Sequence, residues 1–197
     1  MYGPKILVMA GSLRAGSHNG RLAALVAKEL ALTEAQVTRI SLADYPLPLL
    51  DADVFADSGP PDNAVKLKRM LSAHQGVFIA SPEYTASVTP LLKNAIDWVT
   101  RVRDRNEPPY AAFKDRVFAL GSASARIDGG LHALAALRQI LQAGCGALVL
   151  PEQINVGRAE EAFDDMDNLK DDALTTVLKE MVQRLIDLAS VMPKATE

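Results

Sequence analysis

The chain has 197 residues, the size of one α/β domain, so it is read as a single domain over 1–197, with 49% hydrophobic and 23% charged residues. Its 24 acidic and 21 basic side chains leave a net charge of -3, which gives no electrostatic reason to expect nucleic acid or a membrane as partner. One cysteine, Cys145, excludes an internal disulfide; with no apolar stretch near the ~20 residues of a membrane span and no signal-peptide pattern, the expected compartment is the cytoplasm.

Lys5-Ile6-Leu7-Val8-Met9-Ala10 is a short apolar run ending at Gly11, the pattern of a strand buried on both faces. Residues 19–32 carry Leu22, Leu25, Val26 and Leu30 at helical spacing. Residues 36–42 alternate and predict a second strand. The stretch 44–61 is rich in proline and acidic residues and reads as a long loop. Asp62 is placed to cap a helix through Val65, Leu67, Met70 and Leu71. Val77-Phe78-Ile79-Ala80 is the third strand, and Thr89-Pro90 opens the next helix with proline where it costs no hydrogen bond. Residues 116–120 form a fourth strand, 121–130 a loop of small residues, and 131–143 a helix ended by Gly144. A fifth strand spans 147–150 before Pro151, and a long amphipathic helix spans 167–192.

Five β-α units in succession imply a parallel sheet with helices on both faces, a three-layer α/β sandwich. Five strands favour the flavodoxin-like order 2-1-3-4-5, in which ligands sit beyond the carboxyl ends of the strands near strands 1 and 3. The loops after Ala10, Ala80 and Leu120 are therefore expected to converge.

The first of these loops reads Gly11-Ser12-Leu13-Arg14-Ala15-Gly16-Ser17-His18-Asn19. It is neither a P-loop nor GxGxxG, but its chemistry suits a phosphate. N–H groups at a helix N-terminus attract an anion, the Ser12, Ser17 and Asn19 side chains can donate, and Arg14 can add a charge-assisted bond. No acidic residue lies between Met1 and Lys28. The alternative is a plain helix cap by Ser17 or Asn19, with Arg14 a solvated charge. The second loop reads Ser81-Pro82-Glu83-Tyr84-Thr85-Ala86-Ser87. Pro82 stiffens the turn, and the N–H groups of Glu83, Tyr84 and Thr85 could meet the polar edge of a flat heterocycle while Tyr84 covers an aromatic face. The alternative is a type I turn with Tyr84 merely packed.

Three blocks together resemble the NAD(P)H-dependent FMN reductases, which include quinone and chromate reductases. They are Gly11-Ser12-Leu13-Arg14 through Asn19; Pro82-Glu83-Tyr84 through Leu92-Lys93-Asn94-Ala95-Ile96-Asp97-Trp98; and Gly121-Ser122-Ala123-Ser124 through Gly129-Gly130 and Leu137-Arg138-Gln139. The resemblance implies a flavodoxin-like fold, FMN as cofactor and NAD(P)H as substrate. It implies that Ser12, Arg14, Ser17 and Asn19, with the backbone at His18, hold the FMN phosphate. It implies that Pro82, Glu83, Tyr84 and Thr85 lie along the isoalloxazine edge and that Ser124 stands near the flavin. For such a flavin enzyme the mechanism is read as ping-pong, a hydride passing from NAD(P)H through bound FMN to a small-molecule acceptor such as a flavin or quinone. No side-chain acid or base is obligatory in that reading, so no catalytic residue is named. The alternatives are a flavodoxin-type electron carrier or a flavin-binding regulatory module. Two departures stand out: Thr85 where the family has Asn, and Ala125-Arg126-Ile127-Asp128, which brings charge into the third loop.

In the related family the helix beginning at Thr89 lies at a dimer contact, which implies a homodimer or homotetramer and leaves Trp98 as core or interface anchor. His18, His74 and His132 are scattered along the chain without Cys or paired carboxylates at metal spacing, so no metal site is expected. His132 reads as core or interface packing, Cys145 as a small buried residue, and the acidic run Glu160 to Asp167 as a solvated loop.

Overall fold

The computed structural model describes residues 3–193. Strands β1 (Lys5–Ala10), β2 (Gln36–Ser41), β3 (Gly76–Ala80), β4 (Val117–Ala123) and β5 (Leu148–Val156) form one sheet in the order β2-β1-β3-β4-β5. All four pairings are parallel. The expected order holds, and the helices between successive parallel strands carry the chain back over a face of the sheet.

Side chains alternate across a strand, so the central strands feed two cores. On one face Ile6, Val8, Phe78 and Val117 pack against α1 (His18–Ala31) and α7 (Asp172–Val191) through Leu22, Val26, Leu30, Met181 and Leu185. On the other, Leu7, Met9, Val77, Ile79, Phe118 and Leu120 meet α3 (Asp62–Ser72), α4 (Pro90–Arg101) and α5 (Leu131–Gln139) through Leu67, Leu71, Leu92, Ile96 and Leu134. Burial on both faces is why these strands lack polar alternation in sequence.

The structure departs from the sequence reading in six places. The 44–61 stretch holds a helix, α2 (Ala52–Ser58), capped by the Asp51 carboxylate. It buries none of its own residues, so it has no apolar period to betray it. It nevertheless settles Trp98 as core: the ring is 1% exposed, Phe55 meets it edge-on, and its Nε1 donates to the Pro48 carbonyl at 2.7 Å. Asp62 is the first helical residue of α3, and Pro61 holds the cap position without a side-chain bond. β4 runs on to Ala123 instead of stopping at Leu120, and β5 continues through Pro151 to Val156. A proline fits there because β5 is an edge strand and the ladder shifts register between Phe118 and Leu120. The helix after Gly130 changes at Ile140 to a π turn over Ile140–Gly144. The last helix starts at Asp172, capped by Asp171, rather than at 167; before it lies the short α6 (Ala159–Ala162). No helix among the described residues is long and apolar enough to cross a membrane.

Candidate functional site

The loops after β1, β3 and β4 lie side by side at the carboxyl end of the sheet. Gly11 N–H donates to the Ala80 carbonyl and Ser81 N–H to the Gly121 carbonyl, each at 2.8 Å. Thr89 ties the first two loops again: its hydroxyl donates to the Gly11 carbonyl at 2.8 Å and accepts from Leu92 N–H to cap α4. The expected convergence is therefore built by backbone bonds that continue the ladder.

In the first loop Gly16 turns the chain at a φ of +66°, a conformation glycine adopts at little cost. Ser17 caps α1 by accepting from Gly20 N–H at 3.0 Å. Ser12 Oγ accepts from Arg14 N–H at 3.2 Å. Both hydroxyl hydrogens stay available to a ligand, since each oxygen only accepts in these bonds. The N–H groups of His18 and Asn19, in the first turn of α1, have no protein acceptor among the described residues. Arg14 is exposed and bridged to no carboxylate among those residues. His18 Nδ1 is buried without a partner.

Asn19 differs from the sequence reading. Its side chain is 3% exposed and doubly bonded to β4: Nδ2 donates to the Ala123 carbonyl at 2.8 Å and Oδ1 accepts from Ala123 N–H at 3.0 Å. It fastens the helix to the end of the sheet, which leaves its backbone N–H and the second hydrogen of Nδ2 for an anion.

The second loop is a two-residue hairpin. Tyr84 and Ser87 exchange backbone bonds of 2.9 and 3.0 Å, and the residues between them, Thr85 and Ala86, have φ of 49° and 57°. Two consecutive left-handed residues make a type I′ turn, not the type I turn that stood as the alternative in the sequence reading. The Tyr84 N–H is used inside the hairpin, so of the three donors expected here only those of Glu83 and Thr85 lack a protein acceptor. The Tyr84 ring is 58% exposed and not packed into the core. The Glu83 carboxylate leaves its own loop: Oε2 accepts from His132 and Ala133 N–H, at 3.1 and 3.2 Å. It supplies the cap that Gly130, at the N-cap of α5, cannot.

In the third loop Ser124 N–H donates to Val156 and its carbonyl accepts from Ala159 N–H, while its Oγ accepts from Arg126 N–H. Asp128 Oδ1 accepts from Gly130 N–H at 3.3 Å; this bond, then Arg126, holds the carboxyl below the usual range. Ser122 and Ala123 are 0% and 3% exposed and lie within the sheet, so they do not line the opening; Ala86 and Ala125 are exposed at it. His132 is exposed, which removes the core half of the core-or-interface expectation. Its Nδ1 stands 3.6 Å from Glu83 Oε1 and 3.9 Å from Asp128 Oδ2. That trio is invisible in the linear sequence because its members come from two loops and a helix. Cys145 is buried as expected; burial first, then the Asp97 charge, pushes its thiol up to about 11, so it is no nucleophile at neutral pH.

A doubly wound parallel sheet with phosphate-binding chemistry at the β1–α1 turn and an open loop beside it defines a nucleotide-binding protein of the flavodoxin-like class. The chain belongs to the NADPH-dependent FMN reductase family, whose model matches residues 4–161. It is 33% identical over 183 residues to an NAD(P)H-dependent FMN reductase of Pseudomonas aeruginosa, covering 92% of each chain. It is 37% identical over 138 residues to a quinone reductase of Escherichia coli K12, covering 70% of this chain and 69% of the relative. Among solved structures it is similar to the flavoenzyme NAD(P)H:(acceptor) oxidoreductase FerB of Paracoccus denitrificans, with a TM-score of 0.74, 27% identity and coverage of 94% and 97%. The chain is thus an NAD(P)H-dependent oxidoreductase that works with FMN, and the donor set of the first two loops fits that cofactor.

Proposed function

We propose that the protein reduces a small-molecule acceptor, a quinone, free flavin or similar compound, at the expense of NAD(P)H, with both substrates using one opening in turn. The observation that carries this reading is the first loop: two hydroxyls, two unspent N–H groups at a helix N-terminus and an arginine that no carboxylate bridges among the described residues, with no acidic residue in the first turn of α1. Ser12, Arg14, Ser17 and the backbone of His18 and Asn19 would hold the FMN phosphate. FMN, when bound, supplies the hydride chemistry, and the protein supplies binding and orientation. The N–H groups of Glu83 and Thr85 would face the polar edge of the ring, Pro82 would set their direction, and Ser124 would border it from the third loop. The exposed Tyr84 ring and the small Ala86 and Ala125 leave the ring face accessible to a second planar molecule.

No catalytic acid or base is assigned. A carrier that exchanges electrons only with a protein partner is the second reading, and the mild net charge of -3 gives it little electrostatic support. A homodimer or homotetramer in the cytoplasm completes the proposal. The outer side of α4 supports the assembly: a groove of about 550 Å³ there is bordered by Lys93, Asp97, Arg101, Arg103 and Tyr110. The test is direct. The purified protein should quench the fluorescence of added FMN and oxidise NAD(P)H steadily when a quinone is present. Quenching without oxidation would select the carrier; neither would end the proposal.

A further inference from the structure

We propose that Glu83, Asp128 and His132 form a binding site for a divalent transition-metal ion of the zinc class, bridging the second and third loops. One ligand atom from each residue lies within 4.8 Å of the others. The two measured separations from His132 Nδ1, 3.6 Å to Glu83 Oε1 and 3.9 Å to Asp128 Oδ2, are too long for hydrogen bonds. They are close to the spacing of two ligands on one ion: bonds of about 2.0–2.2 Å at tetrahedral to trigonal angles separate the donor atoms by about 3.3–3.8 Å.

The hydrogen bonds around the trio point the same way. Each carboxylate spends one oxygen on the backbone at the start of α5 and turns the other toward the imidazole. Glu83 Oε2 is held by the N–H groups of His132 and Ala133, leaving Oε1 on the ring nitrogen. Asp128 Oδ1 is held by Gly130 N–H, leaving Oδ2. Such bonds are what orient metal ligands in built sites. They also offset the positive end of the helix, which would otherwise disfavour a cation. The two carboxylates face a single full cation among the described residues, Arg126, whose Nε lies 3.3 Å from Asp128 Oδ2. That arginine is 74% exposed in its side chain, so it can swing into solvent and yield its place to a metal.

An imidazole with two carboxylates selects zinc, manganese, cobalt or nickel over magnesium and calcium, which take oxygen alone. The ion would pin the hairpin of the second loop to the start of α5. Its binding does not depend on the reading of the flavin site, because none of the three ligand atoms is assigned there.

The experiment uses the flavin-loaded, chelator-treated full chain, titrated calorimetrically with zinc chloride, and with manganese chloride while the histidine ring protons are followed by NMR. One zinc per chain is expected. His132→Ala, an exposed position that should not disturb folding, is expected to weaken zinc at least tenfold; Asp128→Asn, which keeps the bond from Gly130, should also weaken it. Arg126→Ala is expected to tighten it severalfold by removing the competitor. Manganese should broaden the His132 signals before those of His18 and His74. Zinc affinity unchanged in His132→Ala, broadening of another histidine first, or no zinc uptake below millimolar concentration would overturn the site.

Discussion

Arg14 and Asn19 sit five positions apart and were equal candidates for holding a phosphate, yet the fold gives them different work. Arg14 stays exposed without a carboxylate, so Arg14→Ala should weaken FMN by ~1.5–3 kcal/mol, the usual range for a bond to a charged group. Fluorescence titration checks this, with riboflavin as control: riboflavin lacks the phosphate and should bind the variant and the parent equally. Asn19 instead bonds both backbone groups of Ala123 in a buried setting. Asn19→Ala should therefore cost about 2 kcal/mol or more of folding stability, read as a lower urea midpoint, because it leaves two buried backbone groups unpaired. Ser12, Arg14 and Ser17 can be named as candidates for a phosphate from residue type and loop position alone, and the fold places all three in the turn between β1 and α1. Asn19 and Glu83 were not fully legible: their side-chain partners lie 104 and about 50 residues away, and no local pattern encodes such a distance.

The hairpin at the end of β3 shows how a loop can be placed by sequence while its turn type is not. Both its central residues are left-handed, where Asn-Gly is favoured and Thr-Ala is strained, the β-branched threonine most of all. The strain amounts to about 1–2 kcal/mol per residue. Replacing Thr85→Asn with Ala86→Gly should raise the thermal midpoint by several degrees in calorimetry; an unchanged midpoint would show that the pair carries no strain. A second element argument concerns α3 and the chain after α4. Lys68, buried on α3, is clamped by the carboxylates of Asp104 and Glu107. Burial pushes its pKa down, but the bonds to Asp104 and Glu107 outweigh this and raise it overall. The Lys68 hydrogen bond, then its charge, lowers Asp104. The raised lysine stabilises below its unfolded value and loses that as pH rises through its folded one; the lowered aspartate stabilises above its unfolded value and loses that as pH falls through its folded one. The clamp is whole between about pH 4 and pH 10. The difference in urea midpoint between the parent and Lys68→Met should therefore be largest near neutrality and shrink outside that window. A pH-independent difference would mean that the lysine acts by packing alone.

At the scale of the whole molecule, one opening that serves two substrates in turn makes a kinetic prediction. Initial rates with NAD(P)H and a quinone varied together should give parallel double-reciprocal lines, and intersecting lines would rule out turn-taking. Filling the opening tests the same idea: Ala125→Trp, at an exposed position of the third loop, should slow reduction by NAD(P)H and reoxidation by quinone alike while FMN stays bound. Light scattering tests the assembly, where a monomer that still turns over NAD(P)H would refute the proposed dimer or tetramer. The architecture needed little more than sequence. Apolar runs of five or six residues alternating with helical periods admit few parallel topologies, so strand order followed from pattern and handedness. The same patterns could not find α2, which buries nothing, or the continuation of β5 beyond Pro151, which depends on being at an edge. Nor could they assemble Glu83, Asp128 and His132. What the chain determines by itself is what acts through near neighbours: periodicity, capping, and the residue types of a loop. What waited for the tertiary structure was the particular side-chain partnerships between loops, Asn19 with Ala123 and Glu83 with the start of α5, because no local preference decides which side chain meets which backbone across the strand ends.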